Sequence, residues 1–282
     1  MDINKLKSQF EKYFKYGEKE IKKNSVAIKK DLKFFIDCLN KGILRAVEKR
    51  GNDYKVNLWV KQAILLAFKI SPIKRIEISK EIYFQDKDLF IPKSRFKGEN
   101  IRLVPNSSCV RQGAYIGKNC ILMPPSYVNV GAYVDDGALI DSNGLVGSCA
   151  QIGKNVHISA AAQIGGVLEP VGALPVIIED NVLIGGNCGI YEGVIVGKGA
   201  VIASGVILTS GTAVYDLVKE KIYKSQENNP LKIPEGAVVV AGGRKISGKF
   251  AADAGLSVYT PVIIKYKDEK TSQKVKIEKK LR

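Results

Sequence analysis

The sequence has few of the residues from which proteins build metal sites and disulfide frameworks. Its 282 residues include one histidine, His157, and five cysteines, an odd number in which no Cys-x-x-Cys pair occurs. Because zinc sites need several such ligands at set spacings, we expect no metal. We interpret the cysteines as reduced thiols, since Cys120 and Cys188 occupy small interior positions of a repeat.

Long apolar runs are missing as well. No segment reaches the roughly 18 uninterrupted apolar residues that suggest a membrane helix, and Met1 is followed by Asp2 and lysines rather than by an apolar leader. Since 45% of the residues are hydrophobic, we expect a folded, soluble, cytoplasmic protein without a membrane partner.

Acidic residues are outnumbered overall, which gives a net charge of +16, but the excess is uneven. Residues 1–100 hold 24 Lys or Arg against 13 Asp or Glu, residues 101–213 hold 5 against 7, and residues 214–282 hold 15 against 8. The basic residues are interleaved with acids and lack the aromatic strip of a single-strand binding surface. They indicate a solvated lysine-rich surface and no nucleic-acid partner.

What the sequence has in abundance is a six-residue period between Val104 and Thr212. An aliphatic residue opens each hexad, and a residue no larger than valine usually stands four places later. This period is typical of a left-handed parallel β-helix with three flat faces, in which three hexads make one coil. The opening residues are Val104, Val110, Ile116, Leu122, Val128, Val134, Ile140, Val146, Ile152, Ile158, Ile164, Ile178, Ile184, Ile190, Val196, Ile202 and Leu208.

One interruption breaks the repeat, between Ile164 and Ile178, which are fourteen residues apart instead of twelve. We expect residues 169–175 to bulge from a corner of the coil. At about 4.8 Å per coil, about six coils then form a prism on the order of 30 Å long.

The segments on either side of the repeat predict two further units. Before it, apolar residues from Ile28 to Leu39 at helical spacing predict a helix that ends at residues 40–42. Residues 43–48 and 54–56 predict a hairpin, and Asn57 is placed to cap a second helix in which Trp59 packs.

After the repeat, residues 237–240 and 258–264 predict strands that close the open end of the coil, where unpaired strand edges need cover. The predicted domains are therefore a helical domain with a small hairpin (1–100), the β-helix (101–213) and a β-rich cap (214–282).

A hexapeptide coil does not by itself decide a function. An ice-binding face needs ranked threonines, and the repeat has only Thr209 and Thr212; a hexapeptide carbonic anhydrase needs three zinc-binding histidines. Acyl transfer from a coenzyme A thioester remains, and so does a non-catalytic β-solenoid scaffold.

Three runs in the repeat carry a specific resemblance: residues 123–135 (MPPSYVNVGAYVD), 146–157 (VGSCAQIGKNVH) and 164–170 (IGGVLEP). They closely resemble tetrahydrodipicolinate N-succinyltransferase, a family of hexapeptide-repeat acyltransferases. The likeness covers nearly the whole chain, because it extends to residues 42–49, 58–66, 268–271 and 281–282.

The resemblance implies an enzyme that moves a succinyl group from succinyl-CoA to the amine of tetrahydrodipicolinate (2-amino-6-oxopimelate) in lysine and diaminopimelate synthesis. It also implies a homotrimer with active sites between subunits. Asp141 matches the proposed catalytic base, which takes a proton from the amine. Arg102 matches a substrate-binding arginine, and Arg111 is a second candidate for the two substrate carboxylates.

For the acyl donor, Gly166 and Gly185 are candidates to present backbone N–H groups to the oxyanion at coil corners; both are equally explained as tight corners. Lys198 is a candidate for the coenzyme phosphates. Residues 170–175 resemble the loop that covers the pantetheine arm. We expect His157 to be structural, as it is not the family's proposed base.

The sequence departs from the family at two positions near the expected groove. Many members have Asp-Thr-Trp where this chain has Asp141-Ser142-Asn143, and a glutamate proposed to assist catalysis falls on Gly189. These changes leave acetyl-CoA as an alternative donor, or another amine as acceptor.

Overall fold

Most of the protein is a coil of short parallel strands. The computed structural model describes residues 2–51, 53–77, 79–93, 96, 100–227 and 229–267, so the resembling segments 268–271 and 281–282 lie outside the described residues. No helix within the described ranges is long and apolar enough to span a membrane.

The coil is a left-handed parallel β-helix, as the repeat predicted. Each coil contributes one two-residue strand to each of three sheets, which we call faces 1, 2 and 3, and consecutive faces meet at corners 1–2, 2–3 and 3–1. Face 1 holds β5 (Arg102–Leu103), β8 (Ile121–Leu122), β11 (Leu139–Ile140), β14 (His157–Ile158), β17 (Leu183–Ile184) and β20 (Val201–Ile202). Face 2 holds β6 (Cys109–Val110), β9 (Tyr127–Val128), β12 (Leu145–Val146), β15 (Gln163–Ile164), β18 (Gly189–Ile190) and β21 (Ile207–Leu208). Face 3 holds β7 (Tyr115–Ile116), β10 (Tyr133–Val134), β13 (Gln151–Ile152), β16 (Ile177–Ile178) and β19 (Ile195–Val196).

The hexad pattern is explained by which side chains enter the coil. In every strand of the coil except β5, where Leu103 is 41% exposed, the second residue is buried inside the coil, as Val134 and Ile140 are. The small residue four places later is buried at the corner, as at Ala138. Between them, the fourth hexad residue adopts a left-handed backbone, with φ of 56° at Asn119 and 59° at Asn143. Asparagine and glycine dominate that position because they tolerate the left-handed region best.

The register confirms three hexads per coil, since Tyr133 pairs with Gln151, but it corrects the prediction at the first coil. Leu103 pairs with Leu122, and the offset between them is one residue longer than three hexads. Leu103 rather than Val104 therefore takes the second position of the strand in this coil. The extra residue lies in a turn where Ser107 has a φ of 67°.

The register also corrects the length of the interruption. β15 is followed directly by β16, and Gln151 pairs with Ile177 rather than with the residue three hexads along, which would be Glu169. The insertion is therefore eight residues rather than two. We call residues 165–176 the insertion loop; it projects at corner 2–3.

The amino-terminal domain contains α1 (Ile3–Tyr13), α2 (Glu18–Lys23), α3 (Ser25–Asn40), α4 (Leu58–Ile70) and the hairpins β1–β2 (Val47–Arg50, Asp53–Val56) and β3–β4 (Ile73–Glu77, Tyr83–Lys87), followed by a 3₁₀ turn (Asp88–Phe90). The predicted helix, first hairpin and Trp59 packing are confirmed: the Trp59 ring lies 5.8 Å from that of Phe35. Asn57 occupies the N-cap of α4, but its side chain donates to the Arg45 carbonyl instead of capping the helix.

This domain packs on one side of the prism. Its apolar core includes Val130 and Cys149 from corner 2–3, and β1 covers face 3, where Val47 contacts Ile177 and Ile195. Part of face 3 is thus buried by the chain itself.

The carboxyl-terminal segment closes the coil, and its two predicted strands are confirmed and longer than expected. β22 (Val214–Asp216) and β23 (Lys221–Tyr223) form a hairpin; β24 (Lys232–Ile233) extends face 3, and β25 (Ala237–Lys245) extends face 1. After α5 (Lys249–Asp253), β26 (Ser257–Tyr266) pairs antiparallel with β25. The division into domains 1–100, 101–213 and 214–282 stays a prediction.

Candidate functional site

Asp141 is the first residue of corner 1–2, directly after the inward-facing Ile140, and it is half-buried. Its carboxylate accepts the backbone N–H of the next residue, Ser142, at 2.7 Å. Asp135 makes the same contact at corner 3–1, and Asn129 makes it at corner 2–3. The hexad thus holds Asp141 in a fixed orientation through one oxygen.

Arg102 lies on face 1 in the first coil and is exposed. It lines a shallow groove with Asn119, Ile121 and Asn155. Two coils separate Arg102 from Leu139 in the ladder of face 1, which is on the order of 10 Å. Arg102 and Asp141 therefore both border face 1, but the groove of Arg102 is formed by residues of corner 3–1 such as Asn119 and Asn155, whereas Asp141 lies at corner 1–2.

Gly185 follows face 1 at corner 1–2, in the same column as Asp141 and two coils further along. Its N–H donates to the Ile202 carbonyl at 2.8 Å as part of the coil ladder. A Cβ on this residue would lie 2.5 Å from the Ser204 nitrogen. Gly185 thus lets the next coil approach closely at the corner, and its N–H is already engaged.

Arg111 lies at corner 2–3 and connects the coil to the amino-terminal domain. Its guanidinium pairs with the Asp86 carboxylate and donates from Nε to the Phe90 carbonyl at 3.1 Å. The side chain is only 12% exposed and its Cζ lies 5.4 Å from the Phe68 ring centre. These contacts account for the arginine structurally, and a substrate carboxylate would have to compete with Asp86.

Gly166 lies at corner 2–3 in a groove of about 770 Å³ beneath the insertion loop. We call this the loop groove; its lining includes Glu169, Leu174, Glu192 and Ser210. The Glu192 carboxylate accepts both the N–H and the hydroxyl of Ser210, at 3.0 and 2.8 Å. A Cβ on Gly166 would lie 2.1 Å from the Ser148 nitrogen, so only glycine fits there.

Lys198 is exposed at corner 3–1, beside a second groove formed with Arg45 and Tyr54. Tyr54 also lines the loop groove, so the two grooves are adjacent. Glu179 organises this region: it accepts the Tyr54 hydroxyl at 2.6 Å and Lys49 Nζ at 3.0 Å. Burial alone raises the pKa of Glu179, but these hydrogen bonds outweigh it and hold the pKa below its ordinary value.

The remaining predicted positions lie on faces 1 and 2. His157 is buried on face 1, with 8% of its surface exposed. Gly189, where the family glutamate would lie, is covered by a neighbouring ring: a Cβ there would lie 2.4 Å from Tyr191 Cε2. Asn143 holds a left-handed φ of 59°.

Sequence reasoning missed Lys61, although residues 58–66 were part of the resemblance. Lys61 is fully buried on α4, and its ammonium donates to the Pro170 and Ala173 carbonyls of the insertion loop at 3.2 and 2.9 Å. The one signal in the sequence was its place beside Val60 and one turn before Ile64, on the face of α4 that enters the core.

The candidates thus separate into two groups on one chain. Arg102, Asp141 and Gly185 lie along face 1 and corner 1–2, whereas Gly166 lies at corner 2–3 and Lys198 at corner 3–1. Their roles stay predictions.

By fold, the protein is a hexapeptide-repeat β-helix protein with a helical amino-terminal domain. Residues 5–70 match the family model described as tetrahydrodipicolinate N-succinyltransferase N-terminal, and residues 175–210 match that described as hexapeptide repeat of succinyl-transferase. The resemblance to tetrahydrodipicolinate N-succinyltransferases expected from the sequence is therefore confirmed.

Similar proteins agree with these matches. The chain is 44% identical over 108 residues to the 2,3,4,5-tetrahydropyridine-2,6-dicarboxylate N-succinyltransferase of Shewanella sp. (strain ANA-3). The aligned segment covers 37% of this chain and 39% of the relative. The enzyme of the same name from Shewanella oneidensis is 44% identical over 107 residues, 37% of this chain and 38% of the relative. The matched segment thus spans about two fifths of the length of these curated relatives.

A solved structure from Campylobacter jejuni, described as a tetrahydropyridine-2-carboxylate N-succinyltransferase, is 16% identical with a TM-score of 0.47. The match covers 87% of this chain and 64% of that one. A likeness of this degree carries no argument about function.

Proposed function

We propose that the protein is a CoA-dependent N-acyltransferase that transfers the succinyl group of succinyl-CoA to the amine of tetrahydrodipicolinate, in lysine and diaminopimelate biosynthesis. The observation that carries this proposal is the oriented carboxylate of Asp141 at the edge of the face that bears Arg102, in a coil of which residues 175–210 match the model described as hexapeptide repeat of succinyl-transferase. A cytoplasmic location is part of the proposal.

The acceptor requires two kinds of group. Its carboxylates suit the planar, doubly donating guanidinium of Arg102, which is exposed on face 1. Its amine is mostly protonated near neutral pH and needs a base before it attacks. One oxygen of Asp141 is held by Ser142, and the carboxylate has a second oxygen with which to accept that proton.

The reaction then follows ordinary acyl-transfer chemistry. The amine nitrogen attacks the thioester carbonyl carbon and Asp141 takes the amine proton, which leaves a tetrahedral oxyanion. As the oxyanion collapses, the C–S bond breaks and the coenzyme leaves as a thiol after taking up a proton. An amide and free coenzyme A are the products.

The donor is assigned to the loop groove. Its volume of about 770 Å³ falls in the range of small-molecule sites, and Gly166 is part of its lining. Tyr54 lines both the loop groove and the groove of Lys198, so the two grooves are adjacent at this residue. The pantetheine arm is assigned to the loop groove and the phosphates to the groove of Lys198.

A complete site requires a second copy of the chain. Asp141 and the loop groove lie at different corners, with face 2 between them, so one chain does not bring base and donor together. In the middle and later coils the outward residues Leu139, Leu183 and Val201 of face 1 are apolar, and Leu139 and Leu183 flank the buried His157. We therefore propose a homotrimer in which corner 1–2 of one protomer faces corner 2–3 of its partner.

An acetyl-CoA-dependent reaction is the second candidate. The specific observation that favours it is the Tyr191 ring, which lies over Gly189 where the family glutamate would stand. The ring reduces the space available to the acyl group near face 2. It would hinder the longer succinyl group, with its extra carboxylate, more than an acetyl group.

The test is thiol release from succinyl-CoA and acetyl-CoA, each with tetrahydrodipicolinate and with simple amino acids. Succinyl-CoA turnover that requires tetrahydrodipicolinate supports the proposal, and a preference for acetyl-CoA supports the second candidate. A thermal-shift assay separates both from a scaffold, because coenzyme A at 100 times its Kd would add about 2.7 kcal/mol of stability. No turnover and no shift would refute enzymatic activity.

A further inference from the structure

Lys61 is a buried cation that the proposed chemistry does not use. Its side chain is fully buried on α4, and none of the salt bridges among the described ranges includes it. Burial lowers the pKa of Lys61. An ammonium removed from water is costly unless it is hydrogen-bonded, so the position requires a structural or functional reason.

The hydrogen bonds of Lys61 supply that reason. Both acceptors, the carbonyls of Pro170 and Ala173, belong to the insertion loop, 109 and 112 residues further along the chain. The Pro170 carbonyl also accepts the Ala173 N–H at 3.0 Å. One ammonium therefore fixes both ends of the tight turn formed by residues 170–173.

The ends of the loop are held by the coil: the Gly165 and Val167 N–H groups donate to the Ile190 and Ser148 carbonyls at 2.7 and 3.1 Å, and Val176 is buried in the coil core. No strand includes residues 165–176, and between these ends Leu168 packs against the helical core and Leu174 against the β1 cluster. Glu169, Pro170 and Leu174 face the loop groove. The position of this side of the groove thus depends on a residue of the amino-terminal domain.

We propose that Lys61 is a positioning residue for the acyl donor: it holds the insertion loop in the conformation that forms the loop groove. This inference rests on the proposed function, in which that groove takes the donor. Lys61 does not touch the reacting atoms, so its loss weakens donor binding and leaves the chemical step nearly unchanged.

The test compares Lys61→Met with Lys69→Met, which removes an exposed lysine from the last turn of the same helix. We expect Lys61→Met to raise the KM for succinyl-CoA about tenfold or more, the effect of losing charged hydrogen bonds, with kcat within about twofold. Lys61→Gln, which keeps an amide donor, should give an intermediate KM. It also serves as the second variant if Lys61→Met does not fold.

Hydrogen exchange provides a readout that does not depend on activity. In Lys61→Met the Ala173 amide should exchange about tenfold faster, whereas the Val167 amide, bonded to the Ser148 carbonyl at 3.1 Å, should change little. Lys69→Met should match the wild type at both amides.

The possible failures are distinguishable. If the wild type neither binds coenzyme A nor turns over succinyl-CoA, the proposed function is overturned, and this role with it. If the wild type is active but Lys61→Met keeps a normal KM or normal Ala173 exchange, only the role of Lys61 is overturned. A fall in kcat without a change in KM would contradict it equally.

Discussion

Replacing Asp141 by asparagine isolates the proposed base from the fold. The Asp141 carboxylate accepts the Ser142 N–H at 2.7 Å, and a carboxamide oxygen can accept it as well. The chain itself provides the precedent, because Asn129 accepts the Val130 N–H at 2.8 Å at the equivalent hexad position. Asp141→Asn should therefore fold like the wild type.

The two expected magnitudes differ widely. With the hydrogen bond retained, the free energy of unfolding should change by no more than about 0.5 kcal/mol. A carboxamide cannot take the amine proton, so the rate should fall by about 10²- to 10⁴-fold, which corresponds to about 2.7 to 5.5 kcal/mol of activation free energy.

The assay is thiol release at saturating donor and acceptor, with urea denaturation of the same samples. Asp135→Asn is the matched control, since Asp135 makes the equivalent contact with the Asp136 N–H at 2.8 Å. Asp135 lines the groove of Lys198, to which we assign donor binding but no proton transfer, so its variant should keep a near-normal rate at saturating donor. If Asp141→Asn retains near-normal turnover, or if both variants lose it equally, Asp141 is not the base.

Three further results are expected. Ile158→Ala should lower the free energy of unfolding by about 3–5 kcal/mol, because this fully buried residue lies in the middle of the stack; urea unfolding would show it, and a loss under about 1 kcal/mol would mean that the coil closes around the cavity. Ala161→Asn should raise stability by about 0.5–1 kcal/mol, because Ala161 holds a left-handed φ of 57° that asparagine tolerates better; an unchanged urea midpoint would contradict this. The pKa of Glu179 is lowered in the fold, so its contribution is present above the unfolded pKa of about 4.3 and lost as pH falls through the folded value. The stability advantage of the wild type over Glu179→Gln should shrink accordingly in urea titrations between about pH 6 and 3, and a constant advantage would refute the assignment.

The periodic part of the fold was predictable because one physical constraint repeats. The inside of the coil admits one aliphatic and one small residue per hexad, and these are visible in the sequence. The exceptions arise where backbone geometry changes without a change in composition. One added residue near Ser107 shifts the first coil, so Leu103 replaces Val104. The loop after Ile164 adds eight residues, of which the period reveals only two because the other six equal one hexad.

The site was less predictable, since its parts belong to different corners. The sequence identifies Asp141 and Arg102 by resemblance, and the coil places both at the border of face 1. Nothing in the sequence pattern indicated that Arg111 would be paired with Asp86, a residue of the unpredicted β3–β4 hairpin. Lys61 was hidden for a related reason, because its acceptors are backbone carbonyls, which any residue supplies.

The insertion loop also shows how such a protein can acquire new specificity. In all three faces, the strand pairs that span the insertion are separated by eight residues more than in a regular coil. These pairs are His157 with Leu183, Gln163 with Gly189, and Gln151 with Ile177. The regular offset of three hexads resumes at once, with Leu183 opposite Val201. Corner length is therefore a variable that evolution or an engineer can alter without disturbing the scaffold. Recognition can diversify at the corners while the inherited core stays the same.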